Sequence, residues 1–515
     1  MTDELRPELE ELLQRRAAMS DGGRKEAVER RHAKGHRTAR ENVSDLCDEK
    51  TFVEYGFLAV AAQRSRRTLE DLIARTPADG LVGGIGRVDG RSCAVMSYDY
   101  TVLAGTQGAV NHRKKDRLFD VIDRLRLPVV LFAEGGGGRP GDTDVPTVSG
   151  LDTMAFALFA RLSGLVPSIG VASGFCFAGN AALLGCCDLI VATRDANIGM
   201  VGPAMIEAGG LGEHAPEEIG PAPMHASKGV VDVLVDDEAE AVTATKKLLS
   251  YFNGAIEPWD VADQTSLRSA VPEHRRTAYN PRPIIETLAD PGSVTELRPE
   301  FGRTIVTSLA RIEGRAVGIL ANDPRRLGGA IDSDGADKAA RFMALCDAHE
   351  LAIVSLCDTP GFMVGPPAEE TAQVRHFSRM FVTGASVTVP FITVVLRKGY
   401  GLGAQAMAGG SFHAPLLTVS WPTGEFGGMN LEGAVRLGFR KELEAVEDEA
   451  ERETMFQAIV AEAYERGKAL NLASHFEIDD VIDPAETRST IAEMLRAVPP
   501  PEPRTGKKRP LVDPW

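Results

Sequence analysis

The chain carries the same pattern twice at a constant spacing, and that repeat constrains the fold more than any other feature. LPVVLFAEGGGG from Leu127 lines up with LAIVSLCDTPGF from Leu351: an apolar run, an acid (Glu134, Asp358), then a glycine-bearing turn, 224 positions apart. Upstream, GRVDGRSCAVMS around Arg87 matches ARIEGRAVGILA around Arg311 at the same 224. Downstream, VPSIGVASGFCFAGNAA from Val166 matches VPFITVVLRKGYGLGAQA from Val389 at 223, and one inserted residue restoring 224 sets Ala178 and Gly179 opposite Leu402 and Gly403. The period is far too long for a solenoid, so it predicts two like-folded halves made by duplication.

Each half alternates short β-rich runs with helical segments, which is the pattern of an α/β fold. The runs fall at 93–97, 128–132, 168–172 and 189–192, and again at 317–321, 353–357, 392–396 and 416–421, with helices expected at 115–125 and 151–163. Residues 1–45 mix Glu and Arg with leucines at helical spacing and read as an exposed helical arm. A proline-rich stretch, 254–303, marks the junction, giving a first domain over 46–270 and a second over 271–497. The tail, 498–515, is proline-rich and basic and reads as a surface arm packing on a neighbour.

Composition narrows the function. A net charge of −16 spread over both halves argues against a nucleic-acid partner. The seven cysteines are odd in number and sit mostly in apolar runs, so they read as reduced thiols of a cytoplasmic protein. The acidic N-terminus resembles no export signal, and no apolar run is long enough to enter a membrane. No CxxC pair, HExxH, GxSxG or GxxxxGK[ST] occurs, so the sequence offers neither a metal site nor a nucleophile elbow nor a phosphate loop.

What remains is a pair of glycine-bearing turns entering Ala- and Gly-rich helix, GFCFAGNAALLG from Gly174 and GYGLGAQAMAGG from Gly399. The first N–H groups of such a helix have no intrahelical acceptor. Two of them in succession suit a developing oxyanion, and small residues let a carbonyl approach the backbone. Close packing of helix on sheet explains either turn taken alone. Two turns at matching places point instead to an enzyme that handles two carbonyls.

The segments SYDYTVLAGTQG (97–108), GFCFAGNAA (174–182), IDSDGADKAARF (331–342), DTPGF (358–362), VPFITVVLRKGYGLGA (389–404) and SWPTGEFGGM (420–429) resemble the carboxyltransferase component of biotin-dependent acyl-CoA carboxylases, the propionyl-CoA carboxylase beta type. The likeness runs from about residue 40 to about residue 495. It implies two tandem crotonase-like domains, the first holding acyl-CoA and the second carboxybiotin, with active sites between opposed halves of two subunits in a homohexamer. It also implies a chemistry in which CO2 leaves carboxybiotin, the freed ureido nitrogen takes the acyl α-proton, and the enolate attacks CO2, so that the cofactor supplies the base.

By that correspondence the N–H groups of Ala178 and Gly179 face the thioester oxygen and those of Leu402 and Gly403 face biotin. Acyl-CoA contacts are expected at Lys114, Gly136, Gly137, Gly138, Arg139, Gly174, Phe175, Cys176 and Phe177, with Cys176 as a packing residue. Biotin contacts are expected at Gly361, Phe362, Tyr400, Gly401 and Gln405. Glu134 and Asp358, ending matched strands, are expected to cap the turns that follow.

The chain departs from the family pattern in AEGGGGRP (133–140), where DSGGAR is usual, and in Ala178-Gly179 and Leu402-Gly403, where Gly-Gly is usual. No biotin-attachment sequence and no biotin carboxylase signature occur, so a biotinylated carrier and a biotin carboxylase are expected as partners, with acetyl-CoA or propionyl-CoA as acceptor. Two other readings stay open: a subunit of a biotin-dependent acyl-CoA decarboxylase, and a biotin-independent crotonase-type isomerase or hydrolase.

Overall fold

The computed structural model describes residues 5–146, 148–500 and 504–515. The chain forms two units, Met1–Asn253 with Gly506–Pro514, and Gly254–Thr505 with Trp515.

In the first unit, strands β1 (Val53–Glu54), β2 (Leu81–Val88), β3 (Arg91–Tyr98), β4 (Val129–Phe132), β5 (Ser168–Ala172), β7 (Leu189–Thr193) and β9 (Val233–Val235) lie side by side in that order, while β6 (Phe175–Phe177) and β8 (Asn197–Gly199) form a small separate pair. The first two pairings are antiparallel and the rest parallel.

In the second unit the order is β10 (Thr295–Leu297), β11 (Ile305–Ile312), β12 (Arg315–Asn322), β13 (Ala352–Thr359), β14 (Phe391–Tyr400), β15 (Leu417–Ser420) and β17 (Asp480–Val481), with β16 (Glu425–Gly427) pairing the far end of β14. The topology is the same, and the duplication is literal at the start. Adding 224 to β2 and to β3 gives the bounds of β11 and β12, and the long helix Ala109–Leu125 recurs as Ser333–Ala348.

The strands bury both faces, as parallel sheets covered by helices do. In the first unit Leu118, Phe119 and Ile122 of helix Ala109–Leu125 pack with Leu131, Leu183 and Ile190. In the second, Ile319, Val354, Ile392 and Val394 pack with Trp421 and Ile491. Each such side chain contributes about 1.5–3 kcal/mol by leaving water.

Three expectations from the sequence change. The chain leaves the first unit at Asn253 rather than at 270, because the proline-rich stretch is built into the second unit: Gly254 O accepts from Arg311 Nη1 at 3.0 Å, and Tyr279, Ile284 and Leu288 enter the second core. The arm is only partly exposed. Leu5, Leu9 and Leu12 face solvent, but Met19, Ala39 and Val43 are buried, and Arg31 and Asn42 reach the interior of the first unit. Within the tail, residues 501–503 lie outside those described, and Gly506–Pro514 pack on this chain's own first unit, where Val512 exchanges two hydrogen bonds with Ser163.

Candidate active site

Both glycine-bearing turns are built by one device: a short parallel ladder whose last residue hands the chain to a helix. β6 ends at Phe177, paired with Gly199, and helix Gly179–Gly185 follows. β14 ends at Tyr400, paired with Gly427, and helix Gly401–Met407 follows. At the handover Ala178 has φ 53° and Gly401 has φ 57°, the left-handed region each turn requires.

These ladders fix the correspondence at 223, so Ala178 matches Gly401, Gly179 matches Leu402 and Asn180 matches Gly403. The restoring insertion inferred from the sequence is not there. Moreover, the Ala178 N–H donates to Gly199 O at 2.9 Å, which ends the ladder and removes it from any oxyanion role. The first-turn N–H pair of the first unit is therefore Gly179 and Asn180, and the matching pair of the second is Leu402 and Gly403.

A glycine loop lies against each helix start. Gly137, at φ 84°, sits so that an added Cβ would fall 2.5 Å from Ala178 Cβ and 3.4 Å from Gly179 N. In the second unit a Cβ on Gly403 would fall 2.7 Å from the Cα and carbonyl carbon of Gly361. The family-type glycines are therefore close-approach positions on both sides.

The carboxylates that end the matched strands do not cap the next turns. Glu134 is buried and accepts from both Nη atoms of Arg31 at 2.7 Å. Burial alone would lower the pKa of Arg31, but Glu134 outweighs it and holds the guanidinium above its ordinary value. Asp358 accepts from Arg397 Nε and from the Lys398 N–H, both at 3.1 Å.

A carboxyl transferase domain model matches residues 30–505. The chain belongs to the carboxyl transferase family. It is 34% identical over 95% of its length, and 93% of the relative's, to the methylmalonyl-CoA carboxyltransferase 12S subunit of Propionibacterium freudenreichii subsp. shermanii. A solved transcarboxylase 12S, a hexamer crystallised with methylmalonyl-CoA, superposes with TM-score 0.85 at 30% identity, covering 98% of this chain and 99% of that one. A single-chain, multi-domain long-chain acyl-CoA carboxylase superposes with TM-score 0.90 at 56% identity over 95% of this chain, which spans 49% of that longer protein. The fold is thus a tandem crotonase-like one, and the chain is a biotin-dependent carboxyltransferase of the acyl-CoA carboxylase type.

Within this carboxyltransferase the two cations expected at CoA are already engaged. Lys114 is buried and donates to the carbonyls of Gly56 and Ala78 at 3.2 and 2.9 Å and to that of Leu81, and burial pushes its ammonium down to about 8. Arg139 pairs with Asp79 at 2.5 Å and Asp142 at 3.5 Å, and its side chain is only 4% exposed. Neither presents a free charge to a ligand, which removes both from the expected acyl-CoA set.

Cys176 is fully buried in the core and burial pushes its thiol up, as suits a packing residue. The Phe175 and Phe177 rings stack at 5.9 Å, and Gly174 is held so close to Glu134 that a Cβ would fall 2.6 Å from its Oε1. Gly136 donates its N–H to Ala104 O, and Gly138 pairs with Gln107.

Of the expected biotin residues, Gly401, Leu402 and Gln405 line an open cleft of about 1020 Å³ with Phe412, Phe426 and His475. Phe362 stacks on Phe377 at 3.7 Å, Gly361 backs Gly403, and Tyr400 is buried at 1% exposure, so its ring faces the protein.

The sequence reading missed Gln107, Lys115 and Asn180. Lys115 Nζ donates to Gln107 Oε1 at 2.5 Å and to the Tyr98 hydroxyl at 3.1 Å, and burial pushes its ammonium down to about 7. Gln107 Nε2 donates to Asn180 Oδ1 at 2.8 Å. The available signal was the repeat itself, which places Ile331, Ala339 and Gly403 at the matching positions.

Proposed function

We propose that this carboxyltransferase moves the carboxyl group of carboxybiotin to the α carbon of an acyl-CoA, with the thioester oxygen at the N–H groups of Gly179 and Asn180 and the biotin oxygen at those of Leu402 and Gly403. The observation that carries the reading is the matched pair of first-turn N–H groups, one in each duplicated unit, each backed by a glycine loop. Each such donor is typically worth about 3 kcal/mol where charge develops.

The open cleft beside Leu402 and Gln405 is roomy enough for a bicyclic ring, and its Gly401 turn keeps side-chain atoms off the approach. When bound, carboxybiotin supplies the CO2 and then the base for the α-proton. The chain's own part is positional. Gly137 lets the thioester come close to the backbone, Gly179 and Asn180 hold the enolate oxygen, and Leu402 turns its side chain outward at 63% exposure while its N–H stays in the turn.

The acceptor we infer is an acyl-CoA whose chain extends beyond propionyl. The 56% identity to a long-chain acyl-CoA carboxylase supports this. The identity to a methylmalonyl-CoA carboxyltransferase favours the propionyl class as a second reading. Biotin comes on a carrier outside these 515 residues, and the assembly we infer is a homohexamer, which the hexamer of the 12S relative supports.

The reverse reaction tests this without ATP. Purified protein is given malonyl-CoA, methylmalonyl-CoA or 2-carboxypalmitoyl-CoA, with and without a biotinylated carrier. Carrier-dependent release of CO2, fastest from 2-carboxypalmitoyl-CoA, is the expected result. Preference for methylmalonyl-CoA would return the acceptor to the propionyl class, and carrier-independent turnover would overturn the transfer reading.

A further inference from the structure

We propose that Lys115, Gln107 and Asn180 form a positioning relay that holds and polarises the oxyanion turn of the first unit. The inference rests on the reading of Gly179 and Asn180 given above.

The direction of the relay is set by chemistry rather than by how an amide is drawn. Backbone carbonyls only accept, so the Asn180 NH2 must face those of Glu134 and Gly105, at 2.7 and 3.2 Å, and its oxygen must face the Gln107 NH2, which leaves the Gln107 oxygen to Lys115. All three side chains are buried: Lys115 is 1% exposed, Gln107 3% and Asn180 0%.

Gln107 also grips the glycine loop through its backbone. Its N–H donates to Gly137 O at 2.6 Å, and its O accepts from the Arg139 N–H at 2.9 Å. Its Nε2 lies 3.1 Å from where a Cβ on Gly179 would be. One residue thus touches the loop, the turn and the cation behind them.

The duplication supplies a control. The second unit builds the same strand, turn and helix with Ile331 at the place of Gln107, Ala339 at that of Lys115, Gly403 at that of Asn180 and Asn322 at that of Tyr98. The fold therefore does not need the relay. Burying an ammonium is costly, and the first unit carries that cost where the second avoids it. The last donor, the Asn180 NH2, is spent on Gly105 O and Glu134 O and so fixes the turn in place, while the positive charge of Lys115 behind it acts through space and favours a developing negative charge over a neutral carbonyl. The expected signature is a loss in kcat rather than in KM.

Lys115→Met and Gln107→Met fill the same space without the relay, and Gln107→Met creates no buried charge that was not there before. Both are assayed in the full chain by carrier-dependent CO2 release from methylmalonyl-CoA and 2-carboxypalmitoyl-CoA, alongside thermal unfolding. Each folded variant is expected to lose on the order of tenfold in kcat with KM changed less than about twofold. The double variant should be no slower than the slower single one, because the two residues act in series. Undiminished kcat in a folded Gln107→Met protein, or a loss confined to KM, would overturn the relay even if Lys115→Met does not fold. A wild type without carrier-dependent turnover would strike at the transfer reading itself.

Discussion

Lys114 and Lys338 hold the same place 224 residues apart. Lys114 Nζ donates to the carbonyls of Gly56, Ala78 and Leu81, and Lys338 Nζ to those of Arg298, Phe301 and Ile305, the last being the match of Leu81. Each ties the long helix of its unit to the start of the second strand. These are structural cations, and truncating either leaves buried carbonyls without a donor. Lys114→Met and Lys338→Met are each expected to cost about 3 kcal/mol, read as a lower urea midpoint. An unchanged midpoint in either would show that the ammonium contributes little there.

The two oxyanion glycines differ in what a side chain would meet. On Gly403 a Cβ runs into the backbone of Gly361, whereas on Gly179 it meets only the ends of Gln107 and Phe156 at 3.1 Å. Gly403→Ala is therefore expected to lower the melting temperature by several degrees, and Gly179→Ala to fold normally while losing transfer. Equal melting temperatures for the two variants would contradict this packing.

Lys115 links folding to pH. Tyr98, Asp79, Asp116 and His112 are the titratable groups around it, and burial outweighs the two acids in holding it at about 7. Its unfolded value is about 10.4. Between those limits the unfolded chain keeps a proton that the native one gives up, so stability rises with pH across the window, by about 1 kcal/mol per unit. Urea midpoints at pH 7 and 9 should differ more in the wild type than in Lys115→Met. Parallel shifts in the two proteins would refute the linkage.

Asp358 keeps Arg397 neutralised in the second core, where their side chains are 1% and 4% exposed. Asp358→Asn keeps the shape and removes the charge, leaving a buried guanidinium unpaired. A loss of about 3–5 kcal/mol is expected, measured by denaturant unfolding, and a variant as stable as the wild type would show that Arg397 is satisfied elsewhere.

The repeat made the two-unit architecture and its 224 offset legible, and the runs at 93–97 and 317–321 fall inside β3 and β12. However, β2 and β11 were not among the expected strands: their glycines and charged residues break the apolar run, and antiparallel pairing with β3 and β12 holds them. The repeat located the two turns but slipped by one at the first. Whether an insertion restores 224 depends on the β6 to β8 ladder, a contact between segments some twenty residues apart that the chain order does not display. Lys114 and Arg139 were read as acyl-CoA contacts, and Glu134 and Asp358 as caps of the next turn, for the same reason. Their partners, such as Asp79 and Arg31, lie far away in sequence. The arm was legible as helix and not as core, since its buried residues meet strands that follow much later.

The most direct test of the central claim is CO2 release from 2-carboxyacyl-CoA thioesters in the presence and absence of a biotinylated carrier, run on wild type and Gly179→Ala. The account predicts turnover only with the carrier and its loss in the folded variant. Turnover that ignores the carrier, or that survives in Gly179→Ala at the wild-type rate, would contradict it.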